Sequence, residues 1–260
     1  MMLFFCITGS ILLALLPHIL WRIGWTGCKI AGCRLPYKYF GISALVIAIV
    51  FILTMAYGYY IGRWKIKSTE IEYSHNDIPQ VFDGFKIVHI SDLHLSTFDD
   101  SRERFRGFIA KINKHNPDLV CFTEDLVTLG KEEAEDGSRI TFLGVDNANF
   151  SNQGFHTIHK GDQNKTMDGT QGFRILLSHD PSHWSAEVIP NTDIPLTLSG
   201  HTHSAQIRIF GWTPAKWSFK ETAGRYDRDG QTLYINIGLG CTAPIRLGVN
   251  QEVTVITLKN

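Results

Sequence analysis

Two long apolar runs open the chain. Residues 1–21 contain no charged side chain, with Leu3-Phe4-Phe5-Cys6-Ile7 and Ile11-Leu12-Leu13-Ala14-Leu15-Leu16 at their centre, and Arg22 follows. A second uncharged run extends from Tyr39 to Gly62 around Ala44–Leu53. A bilayer core of about 30 Å needs roughly 20 apolar helical residues, so the pattern predicts transmembrane helices over about 3–21 and 39–62. Tyr37, Tyr39, Tyr57, Tyr59, Tyr60 and Trp64 flank the second run, as in an interfacial aromatic belt. The rival reading of the first run is a signal peptide, which would carry a basic segment ahead of its apolar core; nothing basic precedes this one.

Beyond Trp64 the pattern alternates between short buried runs and polar segments. Residues 65–84 read as a linker and an edge strand. Phe85–Ile90 reads as a buried strand that breaks off at Ser91-Asp92-Leu93-His94. Arg102–His115 has helical periodicity, with Phe105, Phe108, Ile109 and Ile112 on one face, and Asn116-Pro117 stops it. Asp118–Phe122 is a second buried strand, ending at Glu124-Asp125. Strand, helix and strand in about 40 residues predict a right-handed parallel βαβ unit. Lys131–Gly137 reads as a loop or helix end, and residues 146–172 as polar and poorly organised. Further strands are predicted at Ile140–Val145, Phe173–Leu177, Leu196–Leu198, Gln206–Phe210, Leu233–Ile237 and Val253–Leu258, with a short helix at Pro181–Val188. The fold class is α/β, two packed sheets or one mixed sheet. The organisation is a membrane segment (1–64), the linker and edge strand (65–84) and a polar domain (85–260).

Composition sharpens this division. The 260 residues carry 25 Lys and Arg against 25 Asp and Glu, yet no acid occurs before Glu70. The zero net charge is therefore a basic, acid-free segment offset by an acidic domain, and it argues against bulk nucleic-acid binding. At 44% apolar and 19% charged the chain is too apolar for disorder. Five cysteines make no disulfide framework. Cys28 and Cys33 read as loop thiols, and Cys121 and Cys241 as small buried residues. Arg22, Lys29, Arg34 and Lys38 lie between the apolar runs, against Arg63, Lys65 and Lys67 after the second. Four against three favours a cytoplasmic loop, with the polar domain on the extracytoplasmic side.

Candidate chemistry gathers where strands end. Asp92 and His94 follow one strand, Asp125 a second, His179 a third, and Gly200-His201-Thr202-His203 a fourth. Strand C-termini collect along one edge of a parallel sheet, where α/β proteins build sites. In extended chain, residues two apart face the same side, which suits Asp-x-His and His-x-His as ligand pairs. Two carboxylates and four imidazoles fit a pair of divalent cations such as Mn, Zn or Fe.

Ile90-Ser91-Asp92-Leu93-His94, Asp118–Asp125, Leu176-Leu177-Ser178-His179-Asp180 and Gly200-His201-Thr202-His203 resemble the motif blocks of the calcineurin-like metallophosphoesterase family, of the membrane-attached bacterial type. The resemblance spans roughly Phe85 to Leu258. It implies a two-sheet β-sandwich flanked by helices, and hydrolysis of a phosphomonoester or phosphodiester by hydroxide activated at a dimetal centre. It further implies that Asp92, His94, Asp125 and His203 hold one cation and Asp125, His179 and His201 the other, Asp125 bridging. The expected partners are a phosphate ester, lipid-linked or of the envelope, and the membrane.

Two departures stand against full activity. The family's Gly-Asp block is Glu124-Asp125 here, which adds a side chain and a charge. The family's Gly-Asn-His-Asp/Glu block, which supplies a ligand and a proton-donating histidine, is absent, and the chain reads as lacking a segment after about Glu135. Asn147, Asn149, His156 and His159 lie near in sequence but read as solvated loop residues. The alternative is therefore an impaired or inactive relative that binds metal or a partner. A third reading is a domain that binds phosphate-bearing lipid headgroups without cleaving them. Trp212, Trp217 and Phe219 read as a rim of packed aromatics or as the lining of an acyl or headgroup site.

Overall fold

The computed structural model describes residues 2–94, 102–123, 130–145 and 172–260. The chain forms two units, residues 1–63 with 244–247 and residues 64–243 with 248–260.

The first unit is a helical hairpin. Its helices are α1 (Met2–Ala31) and α2 (Lys38–Tyr60), which pack on each other. The Tyr37 hydroxyl meets His18 Nδ1 at 2.8 Å, and Trp21 Nε1 donates to the Leu35 carbonyl at 3.2 Å. Arg22 does not end the first helix, as its apolar run suggested. The backbone ladder continues to Ala31 and stops before Gly32, whose φ of 71° suits a helix C-terminus. Cys28 is thus helical, and only Cys33 lies in the connection. In the most apolar window of each helix only 11% and 6% of residues are buried, so neither is the core helix of a soluble domain. Residues 244–247 join this unit, Arg246 N–H donating to the Gly58 carbonyl at 3.3 Å.

The second unit is a sandwich of two mixed sheets. In the first, β1 (Ile66–Ser74) runs parallel to β10 (Gln251–Lys259), β10 pairs antiparallel with β2 (Lys86–Ser91), and β2 runs parallel to β3 (Leu119–Thr123). Helix α3 (Arg102–Asn113) makes the crossover from β2 to β3. Its Phe108 and Ile112 join Val88, Ile90, Val253 and Val255 in one cluster, the βαβ unit that the hydrophobic runs predict. The second sheet has the order β4 (Gly130–Glu133), β5 (Arg139–Val145), β6 (Phe173–Ser178), β7 (Leu196–Ser199), β9 (Gln231–Ile235), β8 (Gly224–Arg228). Its middle four strands are parallel, and each flank closes in an antiparallel hairpin. Ile87, Cys121, Ile256 and Leu258 meet Phe142, Ile175, Leu196 and Leu198 in the core between the sheets. On the other side of the second sheet, Leu143, Leu176, Leu233 and Ile235 pack on Trp184 and Val188. Residues 184–188 take the wide π form. Pro190, which cannot donate to the carbonyl four residues back, lies two residues beyond Val188.

Three segments differ from the sequence-based expectation. The charged stretch 131–137 is not a loop or helix end but half of the β4–β5 hairpin, closed at Asp136-Gly137. There Ala134 N–H donates to the Ser138 carbonyl at 2.8 Å and Gly137 has a φ of 82°. Strand β8 was unforeseen; Asp229 and Gly230, at φ 52° and 78°, turn it into β9, the left-handed pair that a tight hairpin needs. Residues 206–210 form no strand. His203–Gln206 is a short helical turn, and beyond it the chain makes isolated bridges rather than a strand, one of them joining Ile209 and Trp212.

Candidate metal centre

The site grows from the carboxyl ends of strands in both sheets. β2 ends at Ser91, and the chain then turns through left-handed backbone at Asp92 (φ 49°) and His94 (φ 40°). β6 ends at Ser178 and delivers His179; β7 ends at Ser199 and delivers Gly200–His203. Gly200 N–H donates to the His179 carbonyl at 3.0 Å. An added Cβ on Gly200 would overlap the Ser91 hydroxyl and the Asp92 carboxylate, so the two sheets approach here as closely as glycine allows.

Asp92 lies at the centre, 3% exposed. Its Oδ1 is 3.3 Å from His203 Nε2 and 3.5 Å from His179 Nε2. Its Oδ2 accepts from His201 N–H at 2.9 Å and from the Ser91 hydroxyl. Burial pushes the carboxyl up, but the hydrogen bond from His203 and the neighbouring His203 and His179 outweigh it, so the group is held well below the usual carboxylate range. His94 Nε2 and His203 Nε2 lie 3.2 Å apart, and so do His201 Nδ1 and His179 Nε2. Asp92, His94 and His203 each present one ligand atom within 4.8 Å of the others. A carboxylate and imidazoles converging nitrogen to nitrogen are a donor set suited to a first-row divalent cation. His179 Nδ1 lies 3.2 Å from the Thr123 carbonyl. That contact would keep its proton on Nδ1 and leave Nε2 free to bind, the usual outer partner of a metal-bound histidine.

The backbone around these residues is strained. His201, His203, Ser204, Ala205 and Gln206 all have φ between 45° and 71°, a region that costs a non-glycine residue roughly 1–2 kcal/mol. Side chains hold the run in place. Thr202 donates to the Thr222 carbonyl at 2.6 Å, and Gln206 reaches the Ala243 carbonyl through Nε2 and Thr242 and Ala243 through Oε1.

Five of the six sequence-predicted ligands, Asp92, His94, His179, His201 and His203, therefore meet at one place. The sixth, Asp125, lies outside the described residues, as do Glu124, Asn147, Asn149, His156 and His159. His183 and Trp184 belong to packing: His183 Nδ1 contacts the Ser178 hydroxyl at 3.0 Å and Trp184 is buried. Cys121 is a buried thiol whose burial pushes its pKa up to about 12.

The sequence reading missed the loop after β9, although Asn236-Ile237-Gly238-Leu239-Gly240 follows a buried strand in a pattern that signals close backbone approach. Gly240 N–H donates to the Asp92 carbonyl at 2.6 Å and Leu239 N–H to the Ser91 carbonyl at 3.0 Å. A Cβ on Gly238 would come within 2.9 Å of both Asp92 and His203, and one on Gly240 would overlap His94. Asn236, fully buried, donates to the His89 carbonyl and the Thr254 hydroxyl and accepts from Gly238 N–H.

The metallophosphoesterase YkuE of Bacillus subtilis is 30% identical to this chain, over 78% of the chain and 90% of YkuE. The chain belongs to the metallophosphoesterase family. Membership makes it a phosphoric ester hydrolase by family resemblance, of a family that generally uses divalent metals. The metallophosphoesterase Cj0846 of Campylobacter jejuni is 24% identical over 83% of the chain and 69% of its own length. A zebrafish (Danio rerio) transmembrane protein with a metallophosphoesterase domain is 23% identical over 82% of the chain and 62% of its own length. No family model and no solved structure matches this metallophosphoesterase. The alignment with YkuE extends over 262 positions but uses 78% of the 260 residues here, about 203, so about 59 positions have no counterpart in this chain.

Proposed function

We propose that the chain is a membrane-anchored, metal-dependent phosphoesterase that holds two divalent cations. Asp92, His94, Asp125 and His203 would bind one, and Asp125, His179 and His201 the other. The observation that carries this reading is the convergence of four strand-end histidines on Asp92, two of which lie with it within 4.8 Å of one another. When bound, such cations stabilise charge on phosphoryl oxygens and acidify water. The chain's own part is to keep Asp92 ionised, to hold His179 in the binding tautomer through Thr123, and to fix the His201–His203 turn through Thr202 and Gln206. The substrate is a phosphate ester. The two exposed apolar helices, and the transmembrane proteins among the relatives, support attachment to a membrane; the four basic residues between the apolar runs, against three after the second, favour the extracytoplasmic side for the polar domain.

The test is metal analysis of the purified full chain together with hydrolysis of a chromogenic phosphodiester in the presence of Mn or Zn. Two metals per chain, turnover abolished by chelator, and loss of both in Asp92→Asn are expected. Turnover indifferent to chelator would sink the proposal.

A second reading has its own support. About 59 alignment positions of YkuE have no counterpart here, and the chain contains no Asn-His pair. A relative lacking its acid catalyst loses about 10²–10⁴ in rate. Bound metal without measurable turnover would favour this impaired form.

A further inference from the structure

Beyond the candidate metal centre, the segment after His203 forms a projecting loop. Ile209 N–H and Trp212 N–H each donate to the other residue's carbonyl at 2.9 Å, closing a two-residue turn at Phe210-Gly211. Both turn residues are left-handed, with φ 48° and 82°. A bulky residue is strained there, and in water Phe210 gains nothing in return, because it is fully exposed. Beside it Ile209 is 54% exposed, Trp212 43% and Trp217 80%, and the Trp212 and Trp217 rings meet edge to face at 5.3 Å. The loop is firmly based: Thr213 is buried, donates to the Ser204 carbonyl and accepts from Ala215 N–H at 3.2 Å. The apolar tip is thus a fixed feature.

Along the chain the charge flanking this tip has one sign as far as Lys220, and the next residue, Glu221, is buried and paired with Arg228 at 3.2 Å. No acid occurs from Ile194 to Lys220, while Arg208, Lys216 and Lys220 do. Aromatic residues at a tip with cations behind them match the boundary between acyl chains and anionic headgroups, where Trp concentrates and each nearby cation adds attraction. The chain also carries two apolar helices of bilayer length, and exposed Lys216 and Lys220 near exposed Phe and Trp favour an anionic membrane surface as the occupant.

We propose that the 209–217 loop is a membrane-docking element that seats Phe210, Trp212 and Trp217 in the interface of a bilayer with anionic headgroups. The proposal stands whether or not the metal centre hydrolyses esters.

The test uses the full chain reconstituted in nanodiscs of phosphatidylglycerol and brominated phosphatidylcholine. Emission from Trp212 and Trp217 is taken as the difference between the wild type and the Trp212→Phe/Trp217→Phe variant, whose other four tryptophans are unchanged. Docking predicts that this difference is quenched by brominated lipid, and more so with phosphatidylglycerol than without it. A carboxylate at the tip, in Phe210→Asp, should cut the quenched share by about half or more. Difference emission unquenched by lipid but open to acrylamide would place the loop in water. Emission unquenched by lipid yet shielded from acrylamide would mean cover by a second copy or another protein. Either result overturns the proposal, and equal quenching in discs lacking phosphatidylglycerol overturns the anionic assignment.

Discussion

At the scale of single residues, the candidate centre depends on buried polar groups that never touch a cation. Asn236 joins the His89 carbonyl and the Thr254 hydroxyl to Gly238 N–H, and so fixes the loop that presses on Asp92 and His203. Asn236→Ala leaves buried partners unsatisfied and should cost about 2–3 kcal/mol. It should also weaken metal binding; chemical denaturation and metal titration read the two effects. His89 predicts a pH dependence. It is fully buried, with Nε2 at 2.9 Å from the Thr123 hydroxyl and no partner at Nδ1 among the described residues, and burial lowers its pKa from 6.5 to about 3. The unfolded chain binds a proton near pH 6.5 that the folded chain refuses until about pH 3. Stability from this group is therefore complete above pH 6.5 and declines as pH falls toward 3, by on the order of 5 kcal/mol over the window. In His89→Phe the slope of unfolding free energy against pH should flatten between those limits. An unchanged slope would assign the acid sensitivity elsewhere. The ligands themselves were legible in the sequence because Asp-x-His and His-x-His followed unmistakable apolar runs. Asn236 and Gly238 were not, since their roles depend on contacts with His89 and Asp92, more than 100 positions away.

At the scale of elements, legibility followed burial. Strands buried on both faces, such as Lys86–Ser91 and Leu196–Ser199, stand out as short runs rich in Ile, Val and Leu with no acid. The flanking hairpins did not, because β4 is charged and β8 exposed, and their turn chemistry (Asp136-Gly137, Asp229-Gly230) was the only signal. The 206–210 segment misled in the opposite way: its Gln-Ile-Arg-Ile alternation suits a strand, but the bonds from Gln206 to Ala243 and Thr242 hold the chain in a left-handed turn. Two glycine substitutions separate conformation from space. A Cβ on Gly230 meets nothing, so Gly230→Ala costs only the left-handed strain, about 1–2 kcal/mol, and should leave metal affinity untouched. Gly200→Ala forces a methyl into Ser91 and Asp92 and should abolish metal binding while the far hairpin stays intact. Equal metal affinity in the two variants would contradict the close sheet contact. On the other side of the second sheet, Trp184 is 1% exposed among Leu143, Leu176 and Leu233. Trp184→Ala should cost about 3–5 kcal/mol.

At the scale of the whole molecule, the question is what the first unit does with its apolar surface. Leu45, Val46, Ile49, Val50 and Leu53 of α2 are each 46–63% exposed, and α2 has no acid and no Lys or Arg after its first residue. A 23-residue helix is about 35 Å long, enough to cross a hydrocarbon core of about 30 Å. Water would charge heavily for such a surface, whereas a bilayer accepts it, and the aromatic residues at the ends of α2 suit the two boundaries. The chain should therefore stay in the membrane pellet after high salt and alkaline carbonate, which strip proteins held by charge alone. An internal control fixes the cause. Ile49→Asp with Leu53→Asp places two carboxylates at mid-helix, each opposing insertion by about 2.5–3.5 kcal/mol. This variant should move toward the carbonate-soluble fraction while the sandwich, built from separate clusters, keeps its metal affinity. If α1 were a cleaved leader rather than a second span, N-terminal sequencing of the membrane-bound protein would begin beyond it. If the double variant still resists carbonate, α2 is not the anchor, and the docking loop or α1 must carry the attachment.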